Sequence, residues 1–352
     1  MHKHPDGYSG ITSSTNDWHE FEFGGICMHK IAVVLPCHNC REHILGVIKK
    51  IGPEVSYIFV VDDKCPQKTG DYVYANNNDE RVIVVHHHVN RGVGGAVMTG
   101  YRAAIHQGAD VIVKVDGDGQ MNPALIPFFV HPIIHGHADY TKGNRFYDLE
   151  NVKAMPGIRL FGNAVLSFIT KLSSGYWDVF DPTNGYTAIH ANMASHLPYK
   201  KINQRYFFES DMLFRLNTLD AVVLDIPMEA VYGDEVSGLK ISKIVPEFLA
   251  CNIKNFLKRI FYKYYLRGMT AASLELPLGL TMLLGGMLFG LIKWHYYAKL
   301  NAATPLGTIM VAALPMIFGI QLMMSVIDSD VSSVPKISKS KTLIRNSDIT
   351  IF

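Results

Sequence analysis

Charge is scarce in this chain and nearly balanced: 33 Lys and Arg stand against 31 Asp and Glu, charged residues are 18% of the whole, and the net is +2. So small a net charge argues against a nucleic-acid binder with a broadly basic surface, so any basic effect must be local. The low charge, with 48% hydrophobic residues, excludes a disordered protein as well. Cysteine is also sparse. Cys27, Cys37, Cys40, Cys65 and Cys251 make an odd set, too few for a disulfide scaffold and suited to a reducing compartment. Cys37 and Cys40 form a single C-x-x-C, but a zinc site needs a second pair and a redox site needs a thioredoxin-like setting. Residues 1–28 lack the apolar core of a secretory signal and read as a flexible tail. No G-x-x-x-x-G-K-[ST] is present, which excludes a P-loop, and Val97 stands where a full dinucleotide fingerprint needs glycine.

What is present is an alternation of elements. The runs at 31–36, 57–62, 81–86 and 111–116 are β-branched and apolar, and helical spacing fills the stretches around residues 40–51 and 94–108. This predicts an α/β, Rossmann-like domain with a mostly parallel sheet. After Asp116 the pattern weakens into loops and mixed segments, with a helix from Gly157 and a strand at 221–228. The 352 residues leave room for an appendage beyond such a domain.

That appendage is predicted at the C-terminal end. Residues 269–292 and 305–327 hold no Lys or Arg and one acid, Glu275, and each is long enough to cross about 30 Å as a helix. Two transmembrane helices are therefore expected, with Trp294, Tyr296 and Tyr297 in a connector at the interface. Ahead of them, Lys240, Lys243, Lys254, Lys258, Arg259, Lys263 and Arg267 interleave with Ile253, Phe256, Leu257, Ile260, Phe261 and Tyr264. That reads as a basic amphipathic helix suited to an anionic membrane surface, with the large domain on the cytoplasmic side; a solvated basic face packed on the catalytic domain is the alternative. The resulting plan is a tail at 1–28, a catalytic domain at 29–235 and interfacial helices at 236–268. Two spans follow within 269–327, with a cytoplasmic tail at 328–352.

The sharpest local feature is VDGDGQ, where Asp116 and Asp118 follow a buried run. Held together, two such carboxylates call for a divalent cation, and an Asp-Gly turn is the competing explanation. Context favours the cation. Asp62 and Asp63 close a second strand, and Gly92, Gly94 and Gly95 would let backbone approach a ligand. Ligands in open α/β sheets bind beyond the carboxyl ends of strands, where all these residues fall. His86, His87 and His88 alternate faces along a strand and read as structural.

IAVVLPCHN, IFVVDD, HHVNRGVGGAVMTGYRAA, VKVDGDGQMNP, KGNRF, DPTNGY and FFESDML occur in this order. Together they resemble family 2 glycosyltransferases of the GT-A fold, in the polyprenyl-phosphate branch that includes dolichol-phosphate mannose synthase. The resemblance implies a nucleotide-sugar pocket of Pro36, His38, Asn39, Asp62, Asp63, Asn90, Gly92 and Asp116, with Mg²⁺ or Mn²⁺ held by Asp116, Asp118 and Gln120. It implies that Arg145 and Arg159 receive a lipid phosphate; surface pairing with Asp148 or Glu150 is the alternative. Lys142, Asp181, Asn184, Glu209 and Asp211 complete the acceptor region. Cys40, where the family usually has an acid, and Lys64 and Cys65, where it has Gly-Ser, depart from the pattern. The Q-x-x-R-W motif of processive synthases is absent.

The implied enzyme is an inverting hexosyltransferase moving a sugar from a nucleotide diphosphate to polyprenyl phosphate at the membrane. A homo-oligomer is compatible with this. A phosphate monoester is already anionic and needs no strong base. If the acceptor is instead a hydroxyl of a lipid-linked glycan, Asp181, Glu209 or Asp211 must take its proton. A nicotinamide oxidoreductase would leave the D-x-D and the apolar helices without a role.

Overall fold

The computed structural model describes residues 29–147, 157–229 and 241–343. Seven strands form one sheet: β1 (Ile31–Cys37), β2 (Val55–Asp62), β3 (Val82–His86), β4 (Val111–Lys114), β5 (Tyr140–Asn144), β6 (Thr187–His190) and β7 (Val223–Pro227). Their order is β3-β2-β1-β4-β6-β5-β7, and only β6 runs antiparallel to its neighbours. The mostly parallel α/β expectation holds. Every residue of β1 is buried, as a central strand covered on both faces must be.

The helices are α1 (Ile44–Lys50), α2 (Thr69–Asn76), α3 (Val93–His106), α4 (Ile126–Ile134), α5 (Gly157–Ser174), α6 (Ala191–Ser195) and α7 (Phe208–Thr218). Ile31, Val33 and Leu35 pack with α1 and α4 on one face; Ala32 and Val34 pack with α3, α6 and α7 on the other. The twofold alternation of a strand thus builds two core layers from one apolar run. Strands β5 and β6 and helix α4 fall where the sequence pattern left loops.

Beyond residue 240 come α8 (Ile241–Phe261), a π-helical turn at Tyr262–Arg267, α9 (Ala271–Lys299) and α10 (Leu306–Ser332). Helices α9 and α10 are long and apolar enough to cross a membrane. Both extend past the ranges expected from the sequence. The connector is shorter than expected because KWHYYAK contains no helix breaker, so Trp294, Tyr296 and Tyr297 lie on the last turns of α9. Gly286 and Gly319 let the two helices meet: a Cβ on either would come within 2.7 Å of backbone in the opposite helix.

Helix α8 is inverted relative to a water-facing helix. It buries Asn252, Asn255 and Arg259 against the sheet domain and exposes Val245, Leu249, Ile253, Leu257 and Phe261, spaced every fourth residue. Buried Arg259 forms a bidentate pair with Asp330 of α10 at 2.7 and 2.9 Å and donates to the Leu172 carbonyl. Trp177, Lys263 and Tyr264 donate to the same carboxylate. Within the segment after α10, expected as a tail, residues 338–340 pack against the sheet domain: Asp139 accepts from the backbone of Lys339 and Ser340 at 2.9 and 2.7 Å and from Ser338 Oγ at 2.6 Å.

Candidate active site

A crevice of about 550 Å³ opens at the carboxyl ends of β1, β2 and β4. Its walls include Pro36, His38, Asp63, Asn90, Gly92, Asp116 and Asp118. The sequence-derived nucleotide and metal residues therefore largely converge, as ligand crevices of open α/β sheets do.

Asp63 organises one wall. Its carboxylate accepts from the backbone N–H of Arg91 at 2.8 Å and of Gly92 at 2.7 Å, and His87 Nδ1 lies 2.7 Å away. Burial raises its pKa, but the His87 contact and the two N–H groups outweigh this and hold it below the usual carboxylate range. His87 is fixed in turn by Thr99 Oγ1 at 2.9 Å, whereas His86 and His88 are exposed, so the three histidines form no ligand set. Asn90 donates to the Asp63 carbonyl at 3.3 Å and lies 3.4 Å from His38 Nδ1.

Two expected nucleotide contacts lie off the crevice wall. Asp62 is buried, its oxygens accepting from Cys65 N and Gly70 N, each at 2.7 Å, so it closes the turn into α2. Asn39 sits at φ 60° and donates its N–H to Cys65 Sγ. The glycine run also has a local role. A Cβ on Gly92 would come 2.5 Å from the Gln204 carbonyl and one on Gly94 2.6 Å from that of Asn203, so these glycines admit the loop before α7. That loop carries Arg205 and Tyr206 into the crevice.

Asp116 is steered by a residue the sequence reading passed over. Lys114, 1% exposed, places Nζ 3.0 Å from Asp116 Oδ1 and 3.4 Å from Glu209 Oε1. Burial alone would lower its pKa; the flanking Asp116 and Glu209 carboxylates instead hold it above its ordinary value. Asp118 Oδ1 accepts from Gln120 N at 3.0 Å, closing the turn, and Gln120 is not among the crevice-lining residues. Among the described residues no cluster of three or more His, Cys, Asp or Glu side chains forms a preassembled metal cage. Two carboxylates in one open crevice do fit a hard cation that takes its other oxygens from substrate and water.

The acceptor-region residues divide. Arg145 pairs with buried Asp181 at 2.7 and 3.2 Å; the alternative partners Asp148 and Glu150 lie outside the described residues. Lys142 is buried and donates to the Asn184 carbonyl, and burial pushes its pKa down to about 8 against the opposing pull of Glu209 and Asp181. Asp211 faces elsewhere, accepting from Asn203 N at 2.8 Å and Asn255 Nδ2 at 2.9 Å of α8. The backbone of Arg159 belongs to α5, but its side chain lies outside the described residues.

Residues 32–197 match the model of Glycosyl transferase family 2. The chain is 30% identical over 218 residues to the UDP-N-acetylglucosamine–dolichyl-phosphate N-acetylglucosaminyltransferase of Methanococcus voltae, covering 58% of this chain and 86% of that protein. It is 28% identical over 207 residues to the undecaprenyl-phosphate mannosyltransferase of Micrococcus luteus, covering 57% and 84%. In fold it is similar to glucosyl-3-phosphoglycerate synthase from Mycobacterium tuberculosis, solved with Mn²⁺, UDP and phosphoglyceric acid. That match has a TM-score of 0.50 and 19% identity over 67% of this chain and 80% of that one. The sheet domain has the GT-A architecture expected from the sequence.

Proposed function

The chain belongs to glycosyl transferase family 2, and from that premise we propose that it transfers a sugar from a nucleotide diphosphate to polyprenyl phosphate at the cytoplasmic face of a membrane. The observation that carries this reading is one crevice, lined by Asp63, Asn90, Asp116 and Asp118, in a chain that also carries the inverted helix α8 and two apolar helices. Similarity to enzymes named for dolichyl and undecaprenyl phosphate supports the same acceptor class.

In this reading the loop held by Asp63 seats the nucleotide with Pro36, His38 and Asn90. Asp116 and Asp118 would hold Mg²⁺ or Mn²⁺; when bound, the cation offsets charge on the departing diphosphate. Lys114, 3.0 Å from Asp116 Oδ1, fixes the direction of that carboxylate. Arg205 lines the same crevice and adds positive charge where the diphosphate would lie. On the acceptor side the incoming phosphate needs its charge screened, and Lys142 and Arg145 supply fixed positive charge.

In-line attack inverts the anomeric centre and requires no proton acceptor, because the attacking oxygen is anionic. This agrees with the carboxylates at hand: Asp181 is engaged by Arg145, Asp211 by Asn203 and Asn255, and Glu209 by Lys114. A hydroxyl acceptor would need one of them released.

The sheet domain to residue 235, the interfacial segment at 236–268 and the hairpin beyond it form the working plan, with α9 and α10 spanning the bilayer. The 338–343 segment packs on the sheet domain, which supports both ends of the hairpin lying on one side. Purified protein incubated with a panel of radiolabelled nucleotide sugars, polyprenyl phosphate and Mn²⁺ or Mg²⁺ should send label into the organic phase. Release of free sugar with no lipid-linked product contradicts the acceptor.

A further inference from the structure

A second groove, of about 320 Å³, lies between the sheet domain and α8. Lys200 and Lys201 line one wall, Lys254 and Lys258 rise from α8 on the other, and Arg215 lies at its floor. Asp211 is the one carboxylate in the lining, so the described residues leave the groove strongly cationic. Its charge is partly spent elsewhere: Asn203 N, Asn255 Nδ2 and, at 3.5 Å, Arg215 share it. Among the described residues none of the four lysines has an ion-pair partner, and buried Arg215 Nε has no hydrogen-bond partner.

Bringing five cations round one groove costs Coulomb energy unless an anion enters. The groove's position says which kind of anion. Lys254 and Lys258 follow directly after Ile253 and Leu257, which are 50% and 61% exposed on the apolar stripe of α8. A ligand in the groove can therefore place a phosphate among the lysines while its hydrocarbon runs along the stripe. Neither feature alone selects a ligand; side by side they match an amphiphile with an anionic head.

We propose that this groove is a docking site for the phosphate head of an acidic membrane phospholipid, separate from the Asp116–Asp118 crevice. It goes beyond the catalytic reading and rests only on its membrane placement. Occupation ties α8 to the sheet domain by neutralising both walls at once, which seats the catalytic crevice at a fixed height over the bilayer.

Native mass spectrometry of the full chain, exchanged from detergent containing phosphatidylglycerol or phosphatidylcholine, tests this directly. The wild type should retain phosphatidylglycerol in preference to phosphatidylcholine, and Lys254→Glu with Lys258→Glu should weaken retention about tenfold or more. Lys200→Glu with Lys201→Glu should do the same from the opposite wall. Lys49→Glu with Lys50→Glu, exposed on α1, should change nothing. Equal retention of the two lipids, or equal loss in the α1 variant, overturns the proposal. Binding of inorganic phosphate with no lipid retained also overturns it, by making the ligand a free anion. Membrane placement is read separately from sedimentation of native membranes: protein that pellets with them while groove variants keep the lipid sinks the groove alone, and protein that stays soluble sinks the placement.

Discussion

Helices α3 and α8 are both amphipathic, yet they turn opposite faces to the same domain. Helix α3 buries Ala96, Val97, Tyr101 and Ala104 against the sheet, as the hydrophobic effect in water dictates. Helix α8 buries Asn252, Asn255 and Arg259 and exposes Leu249, Ile253, Leu257 and Phe261. Burying an arginine while leaving leucines outside is unfavourable in water, because the charge loses hydration and the leucines gain nothing. The arrangement becomes reasonable when the outer face meets lipid and the buried charge finds Asp330. The same contrast separates β1, buried throughout, from α9 and α10, where about a tenth of the apolar window is inside.

The largest effect expected from breaking this contrast is at its buried charge. Arg259→Ala leaves Asp330 buried without its bidentate partner and should cost about 3 to 5 kcal/mol in thermal or denaturant unfolding in detergent. A loss below about 1 kcal/mol would mean the pair is solvated and α8 is not inverted in solution. Next comes Asp118→Ala, expected to lower transfer about 10²- to 10³-fold while membrane insertion and melting temperature stay unchanged. Full activity of that variant, or of wild type in chelator, would remove the cation from the account.

A smaller change is expected on the exposed stripe. Ile253→Asp with Leu257→Asp should shift stability by no more than about 0.5 kcal/mol, as for any exposed position. It should nonetheless raise KM for polyprenyl phosphate severalfold and leave KM for the nucleotide sugar alone; equal effects on both would place the stripe in water. The mildest prediction concerns Lys142. Its folded pKa of about 8 lies below the ordinary lysine value of 10.5, so between these values the unfolded chain binds more protons and stability should rise with pH. If its ammonium serves the acceptor, transfer should instead fall as pH rises through about 8. Lys142→Met should flatten the stability slope, and an unchanged slope would show that Lys142 titrates normally.

Legibility in the sequence followed burial pattern. Strands β1, β2 and β4 are readable because strands covered on both faces are continuous apolar runs, and β3, half-buried at the sheet edge, is readable from its run of β-branched residues. Strands β5 (YTKGN) and β6 (TAIH) are not, since Thr141, Lys142 and Thr187 are polar yet buried through partners that no local pattern reveals. Pro132 inside α4 disguised a helix. Asn90 is implied only by the family resemblance, whereas Asp63, Asp116 and Asp118 stand out as acids at strand ends. Lys114 does not, because a lysine within VIVKVD reads as an outward-facing residue until Asp116 and Glu209 are seen to enclose it. Arg205 and Tyr206 carry no periodic signal, and the loop that delivers them is placed by Gly92 and Gly94. Arg259 read as one more membrane-surface cation, its role depending on Asp330, which is 71 residues away.

Spin labels at Leu257→Cys on α8, Leu284→Cys on α9 and Tyr74→Cys on α2, in the full chain reconstituted into vesicles, test the division between lipid and water most directly. All three native side chains are exposed, at 61%, 48% and 83%. Labels at 257 and 284 should collide more with oxygen, which concentrates in lipid, than with a water-soluble nickel chelate, and the label at 74 should do the reverse. Nickel access at 257 and 284 as high as at 74 would place the second half of the chain in water and contradict the account.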